Sequence, residues 1–282
     1  MAEAGPRPRS SAASALRQID RIDTGPRFTD ADAIRLNRMF RGADTHEMLG
    51  AVLKDGLAGE VAVVSSFGAE SAVLLDIVAR IDPSVPVLFL ETGKHFEETL
   101  AYRDALVSRL GLTGLRNLQP DVDLLASRDE SGLRWSSDPD GCCEIRKVAP
   151  LARGLAGFDA TLTGRKAFQS TTRATLPRFE VDHSDAEGRL KINPLIDWTP
   201  DDIQAWLNDN DLPRHPLVAA GYPSIGCAPC TNQVAPGEDP RSGRWKGWDK
   251  VECGIHTPVG ENGGPDDQAG SDKPDETNQP YF

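Results

Sequence analysis

Long apolar runs are missing from this 282-residue chain. Nothing approaches the roughly 18 consecutive apolar residues that a membrane-spanning helix needs, so no membrane partner is expected. The opening residues, MAEAGPRPRSSAASALRQID, lack the apolar centre of a secretory signal. The chain is therefore expected in the cytoplasm, where thiols stay reduced. Positive charge is in deficit, with 31 Lys and Arg against 43 Asp and Glu and a net charge of −12, which argues against a general nucleic-acid binder. Two common phosphate-binding fingerprints are absent: there is no Gly-Lys-Ser/Thr loop and no GxGxxG. Cysteine is scarce, at five residues. Without a secretion route, disulfide staples are not expected, and metal or redox chemistry is the first use to consider. What is present suffices for a core: 39% hydrophobic and 26% charged residues is ordinary for a soluble protein.

Composition divides the chain. Residues 1–27 read as a flexible arm. Residues 257–282 hold six acidic residues and one lysine among Gly and Pro; such a tail cannot offset its ordering entropy and is expected to be disordered. Between them, residues 28–240 are expected to form the main domain and 241–256 a mobile C-terminal segment. Within the domain, strand and helix patterns alternate. Strands are expected over 60–65, 86–90, 115–118, 160–163 and 190–192, and helices over 70–81, 96–110 and 143–155, by their apolar spacing. Thr199-Pro200-Asp201-Asp202 opens a further helix, with Thr as N-cap, Pro at the first position and acids in the first turn. The alternation implies an α/β fold: an open, mostly parallel sheet of Rossmann-like type with helices on both faces. Ligands in such sheets bind beyond the carboxyl ends of the strands.

The first strand–helix connection is Ser65-Ser66-Phe67-Gly68-Ala69-Glu70-Ser71. Small residues let the backbone approach an anion, the helix start supplies free N–H groups, and the Ser65, Ser66 and Ser71 hydroxyls add donors. A tight strand–helix turn with an N-cap serine is the plainer, secondary reading of these residues. Together with Leu90-Glu91-Thr92-Gly93 after the second strand, the loop resembles that of the PP-loop superfamily of adenine-nucleotide α-hydrolases. Phe67 and Glu70 stand where that superfamily has a glycine and an aspartate, a departure that suits a nucleotide with fewer phosphates than ATP.

Four cysteines form two close pairs, Cys142-Cys143 and Cys227-Ala-Pro-Cys230. Two such pairs can offer four thiolates to one soft metal centre. Neighbouring residues on a helix point about 100° apart, so the tandem pair reaches one centre only if that centre caps a helix end. An iron–sulfur cluster, a zinc ion and a redox or buried structural role all remain open at this point. Cys253 stands apart, in Lys250-Val-Glu-Cys253-Gly-Ile-His256. It is either a small buried hydrophobe or a nucleophile on a mobile segment, with Lys250 and His256 favouring its thiolate.

Basic residues concentrate in two stretches. Residues 142–178 hold seven Lys and Arg against two acids, and 241–250 hold Arg241, Arg244, Lys246 and Lys250 against Asp249. Solvated surface is the plain reading of any one of these. However, Gly164-Arg165-Lys166 ends an expected strand, and Gln169, Ser170, Thr171 and Arg173 follow with polar donors. Clustered guanidinium groups suit phosphate and sulfate oxygens, so a multiply anionic substrate is expected.

Taken together, SSFGAES, LETGK, CCEIRKVAPL, TGRKAFQSTTR, GYPSIGCAPCT, PGEDPRSGRW and KVECGIH resemble the thioredoxin-dependent adenylylsulfate reductases of assimilatory sulfate reduction. The resemblance runs from about residue 50 to residue 256. It implies reduction of adenylylsulfate to sulfite and AMP, with thioredoxin (or glutaredoxin) as external reductant and a homo-oligomeric assembly. It further implies that Cys142, Cys143, Cys227 and Cys230 ligate one [4Fe–4S] cluster, and that Cys253 attacks the sulfur to form an S-sulfocysteine. The substrate would then be held by Ser65, Ser66, Phe67, Gly68 and Ser71, by Leu90, Thr92 and Gly93 around the adenosine, and by Lys147, Gly164, Arg165, Arg241, Arg244 and His256. Related phosphoadenylylsulfate reductases share the loop and the terminal ECGxH without the four cluster cysteines, so that substrate, or both, is the nearest alternative. A PP-loop enzyme that thiolates tRNA and a cluster-bearing nucleotide sensor are more distant ones. Family members usually carry Asp where Glu91 stands, and the acidic extension after His256 is longer than expected.

Overall fold

The computed structural model describes residues 26–185, 187–250, 252, 254 and 255. Cys253 and His256, most of the expected arm and the acidic tail lie outside the described residues.

Two short helices come first. Helix α1 (Asp30–Met39) starts with a reciprocal cap, Thr29 and Asp32 each satisfying the other's backbone N–H. Helix α2 (Thr45–Leu53) is capped by Asp44. Strand β1 (Val61–Val64) follows, then α3 (Ser71–Ile81), β2 (Val87–Leu90), α4 (Glu97–Leu110) and β3 (Leu115–Leu118). Helix α5 (Val122–Arg128) is short. Helix α6 (Pro139–Cys143) continues through a π-helical turn (Glu144–Val148) into α7 (Ala149–Gly154). The helix expected over 143–155 therefore begins four residues earlier, where the Asp138 side chain accepts from the Gly141 N–H and Pro139 takes the first position.

Strand β4 (Ala160–Thr163) leads to β5 (Phe179–Val181), β6 (Leu190–Ile192), α8 (Pro200–Asp209) and α9 (Pro216–Ala219). Thr199 caps α8 as the sequence predicts, with Asp202 completing the box. The expected strands over 115–118, 160–163 and 190–192 match, and the others are within one residue. The sequence reading had no counterpart to β5, α1 or α2.

The sheet runs β3-β2-β1-β4-β6-β5. Five strands are parallel; β5 pairs antiparallel with β6, Glu180 opposite Lys191. From β1 the chain builds outward through β2 to β3, then returns to place β4 on the other side of β1. This reversal opens a crevice beyond the carboxyl ends of β1 and β4.

Strand alternation sorts the apolar side chains. Val61 and Val63 of β1 and Val87 and Phe89 of β2 enter one large core with α1, α2, α3, α4 and α8. Ala62, Leu88 and Leu90 face the other way, into a small core closed by Leu151 and Leu155, with Ile255 packed against it. Helices cover both faces, as predicted, but unequally. Among the described residues no helix is long and apolar enough to cross a membrane.

Candidate active site

Beyond β1 the chain turns sharply. Phe67 adopts φ +48° and its ring is fully buried, edge-on to Phe89 at 5.5 Å. Its N–H donates to Ser65 Oγ at 3.2 Å. Phe67 is thus a core anchor that bends the loop, not a side chain offered to a ligand, which corrects the expectation for that residue. Left-handed backbone at a bulky residue is strained and persists only where packing enforces it; here the large core does so. Ser66 remains exposed, while the Ser71 hydroxyl donates to the Gly68 carbonyl at 2.7 Å.

The loop beyond β4 is tied to this one across the crevice. Lys166 Nζ donates to Glu70 at 2.8 Å and to the Gly164 carbonyl at 3.0 Å. Lys166 is only 3% exposed, and burial pushes its pKa down against the pull of Glu70. Gln169 Nε2 also donates to Glu70, at 2.9 Å. Glu70, read as a departure from a loop motif, is therefore the link between the two loops. Arg165 is buried beside this cluster, within electrostatic reach of Arg173 and Glu252. Its guanidinium donates to Glu180, Asn193 and Thr163, which ties the end of β4 to β5 and to the residue after β6.

Arg173 completes the series. Its Nε and one Nη make paired bonds of 2.9 Å to both oxygens of Glu252, and its other Nη donates to Gln169 at 2.6 Å. Arg241 lies 3.4 Å from the same Glu252 carboxylate. Arg173 and Glu252 were not among the predicted site residues. The signals were the polar stretch after β4 and the acid adjoining Cys253. The chain on both sides of Cys253 is described: Gly254 follows at φ +81°, where a side chain would be strained and its Cβ would stand 3.4 Å from Val148 of the π turn.

The four remaining cysteines line one cavity with Lys94, Arg146 and Lys147. None of the four is in a disulfide; Cys142, Cys143 and Cys227 are buried and Cys230 is half-buried. The Thr92 hydroxyl lies 3.4 Å from Cys227 Sγ, and its carbonyl accepts from Arg146 at 2.8 Å. Thr92 thus belongs to the cysteine side of the site. Leu90 turns its side chain into the small core and its carbonyl to His95, and Gly93 is exposed at φ +68°. Glu91, with its extra methylene, caps the Gly93 N–H at 3.2 Å and pairs with Arg103.

Arg146 anchors the π turn through Asp129, a buried pair at 2.7 Å. Burial raises the Cys142 thiol to about 11, against the opposing pull of Arg146. Burial also raises Cys230. For Cys227 burial pushes up, but Lys147 and the Thr92 hydroxyl outweigh it and the thiol is lowered. Arg244 spreads over the Trp245 ring at 4.4 Å and packs where Gly226 has no side chain; a Cβ there would overlap its guanidinium. Trp245 donates its backbone N–H to the Cys230 carbonyl, yet its buried indole N–H finds no acceptor among the described residues.

The donor set fits a cluster with sulfide acceptors: four thiols outside any disulfide, a nearby hydroxyl, a flanking lysine and a buried indole N–H with no acceptor among the described residues. Among the described residues, no group of three or more Cys, His, Asp or Glu is arranged to hold a metal ion. Cys142 and Cys143 are the last two residues of α6. The pair sits at the junction of α6 with the π turn, a kind of local widening that recurs at functional sites.

Residues 60–233 match the phosphoadenosine phosphosulfate reductase domain. A Mesorhizobium japonicum protein named adenosine 5'-phosphosulfate reductase is 49% identical over 240 residues, 85% of this chain and 93% of its own. One of the same name from a Chelativorans species is 54% identical over 71% of this chain and 80% of its own. Among solved structures, the phosphoadenylyl-sulfate reductase of Candida auris superposes with a TM-score of 0.61 at 26% identity, covering 75% of this chain and all of that one. The domain match spans more than half of the chain and the curated relatives most of it, so this protein belongs to the phosphoadenosine phosphosulfate reductase domain family.

Proposed function

We propose that this protein reduces adenylylsulfate to sulfite and AMP in sulfate assimilation, with a thioredoxin or glutaredoxin as reductant and Cys253 as nucleophile. The observation that carries this reading is the meeting of two features at one crevice: the phosphate-suited loops beyond β1 and β4, and the residue preceding Cys253 held by Arg173 and Arg241. High identity to proteins named adenosine 5'-phosphosulfate reductase supports the substrate.

In the first step Cys253 Sγ, as thiolate, attacks the sulfate sulfur. The Sγ–S bond forms while the S–O bond to the phosphate breaks, and AMP leaves with that electron pair. Thiolate and sulfate carry like charge, so cations must neutralise the oxygens as they meet. Arg173, Arg241 and Lys147 supply them, Arg244 adds a fourth, and Ser65, Ser66, Gly68 and Ser71 hold the phosphate end. A reductant thiolate then attacks Cys253 Sγ. Sulfite leaves with the S–S pair, and the reductant's second thiol resolves the mixed disulfide. Two thiols lose two electrons, and the sulfur gains them. This thiol chemistry suits a reducing cytoplasm.

Cys142, Cys143, Cys227 and Cys230 would hold a [4Fe–4S] cluster. When bound it supplies a compact centre of charge whose influence on the crevice passes through Lys147.

The test is sulfite release from anaerobically purified protein with reduced thioredoxin, comparing adenylylsulfate with its 3′-phosphorylated form. Faster release from adenylylsulfate, with iron and sulfide in [4Fe–4S] proportion, is expected. The second reading, a phosphoadenylylsulfate reductase, is favoured by the solved relative of that name; a preference for the 3′-phosphorylated nucleotide would establish it instead.

A further inference from the structure

We propose that Glu252 is a positioning residue for the reaction of the adjoining Cys253: its carboxylate is gripped by Arg173 and Arg241, and Gln169 and Glu70 orient the grip. This rests on the reading of Cys253 as nucleophile.

A continuous run of side chains carries the argument. Glu70, at the start of α3, accepts from Gln169 at 2.9 Å; Gln169 accepts from Arg173 at 2.6 Å; Arg173 forks onto both oxygens of Glu252. All three guanidinium nitrogens of Arg173 are used, which fixes its plane. Both partners are largely withdrawn from water, Arg173 at 11% and Glu252 at 15% exposure. A paired, charge-assisted contact of this kind is directional, unlike a surface ion pair. The nucleotide loop and the residue before Cys253 are therefore joined by four side chains.

The two described residues that follow Cys253 also have packing partners. Gly254 lies against Val148, and Ile255 packs on the small core. Upstream, Lys250 pairs with Asp140 of α6.

Glu252 is suited to holding and not to proton transfer, because both of its oxygens are taken by guanidinium groups. One carboxylate between two guanidiniums also leaves a net positive charge. The pair can thus hold the tail and still face an anionic substrate.

The test uses the full chain and its Glu252→Gln and Glu252→Asp variants. Without reductant, intact mass follows gain of an SO3 group on Cys253 after one addition of adenylylsulfate; titration calorimetry gives AMP affinity. Glu252→Gln is expected to slow the adduct by about a hundredfold, the scale of a misplaced reacting group, with AMP affinity within about threefold. Glu252→Asp, which keeps the charge, should recover about tenfold of that loss. A residue needed only for folding would lower binding and rate together. Adduct formation by Glu252→Gln at the wild-type rate would overturn the proposal. So would faster formation with tighter binding, which would make the carboxylate an obstruction. Absence of adduct on the wild-type chain would instead sink the reading of Cys253 as nucleophile, and this inference with it.

Discussion

The two faces of the sheet do different work. One is thick: α1, α2, α3, α4 and α8 bury side chains such as Met48, Leu75, Phe89 and Leu106 against it. The other is thin, closed by Leu151 of α7 and Leu155 just after it, with Phe158 and Ile255 alongside. The cysteine-bearing helix and the segment flanking Cys253 both lie on the thin side. Stability is concentrated where there is no chemistry, and the chemical groups are mounted where few apolar contacts resist adjustment. Regions with few buried contacts open most readily, and the proposed reaction, in which a thiol meets first a nucleotide and then a reductant protein, suits a segment packed on the thin side.

The sharpest separation of the two faces is expected from Cys253→Ser. Sulfite formation should fall by at least about a thousandfold, while the thermal midpoint measured by calorimetry stays at the wild-type value. A large drop in the midpoint would show that the segment contributes to the core after all. Next in size is a paired truncation. Leu75→Ala on the thick face should cost about 3–4 kcal/mol in urea unfolding, and Leu151→Ala on the thin face about 2 kcal/mol. Equal losses would erase the asymmetry.

Acid sensitivity should also belong to the thick side. His215 is buried, caps α9 by accepting the Leu217 N–H on Nδ1, and meets the Thr99 hydroxyl through Nε2 at 3.1 Å. Burial lowers its pKa to about 4. The unfolded chain therefore takes up the proton first, so His215 contributes fully above about pH 6.5 and loses that contribution as pH falls toward 4. By pH 5 the loss should be about 1–2 kcal/mol. A His215→Gln variant should show a flatter fall in thermal midpoint over that range, and an unchanged slope would refute the assignment. The smallest effect is expected at Gly226→Ala. The added methyl displaces the Arg244 guanidinium, and sulfite formation should drop by about three- to tenfold with little change in midpoint.

Much of the sheet was legible because buried parallel strands are short continuous apolar runs, as at 60–65, between Gly59 and Gly68, and at 86–90. Other parts carried weaker signals. Helix α1 buries only Ala33 and Leu36 along its length, too little for a periodic stripe, although Thr29 and Asp32 spell its cap. Strand β5 has three residues and owes its place to pairing with β6 and to Asn37, which bonds the Phe179 backbone from 142 residues away. In the site, residue type singled out the cysteines and the cations, but partnership could not be read from spacing. Arg165 and Arg173 look alike in sequence; one is bound internally by Glu180 and Asn193 and the other meets Glu252. Phe67 looked like a loop residue and proved to be core. Thr92 looked like part of a nucleotide border and lies against Cys227.

The π turn at Glu144–Val148 has a mechanical meaning. It amounts to one surplus residue within a helical rod, and each residue of an α-helix advances the direction of its side chains by about 100°. Upstream of it Cys142 and Cys143 line the cysteine cavity; downstream of it Leu151 and Leu155 enter the small core against the sheet. The surplus residue works as a phase shifter, letting one rod satisfy two angular demands that a regular helix of the same sequence would set against each other.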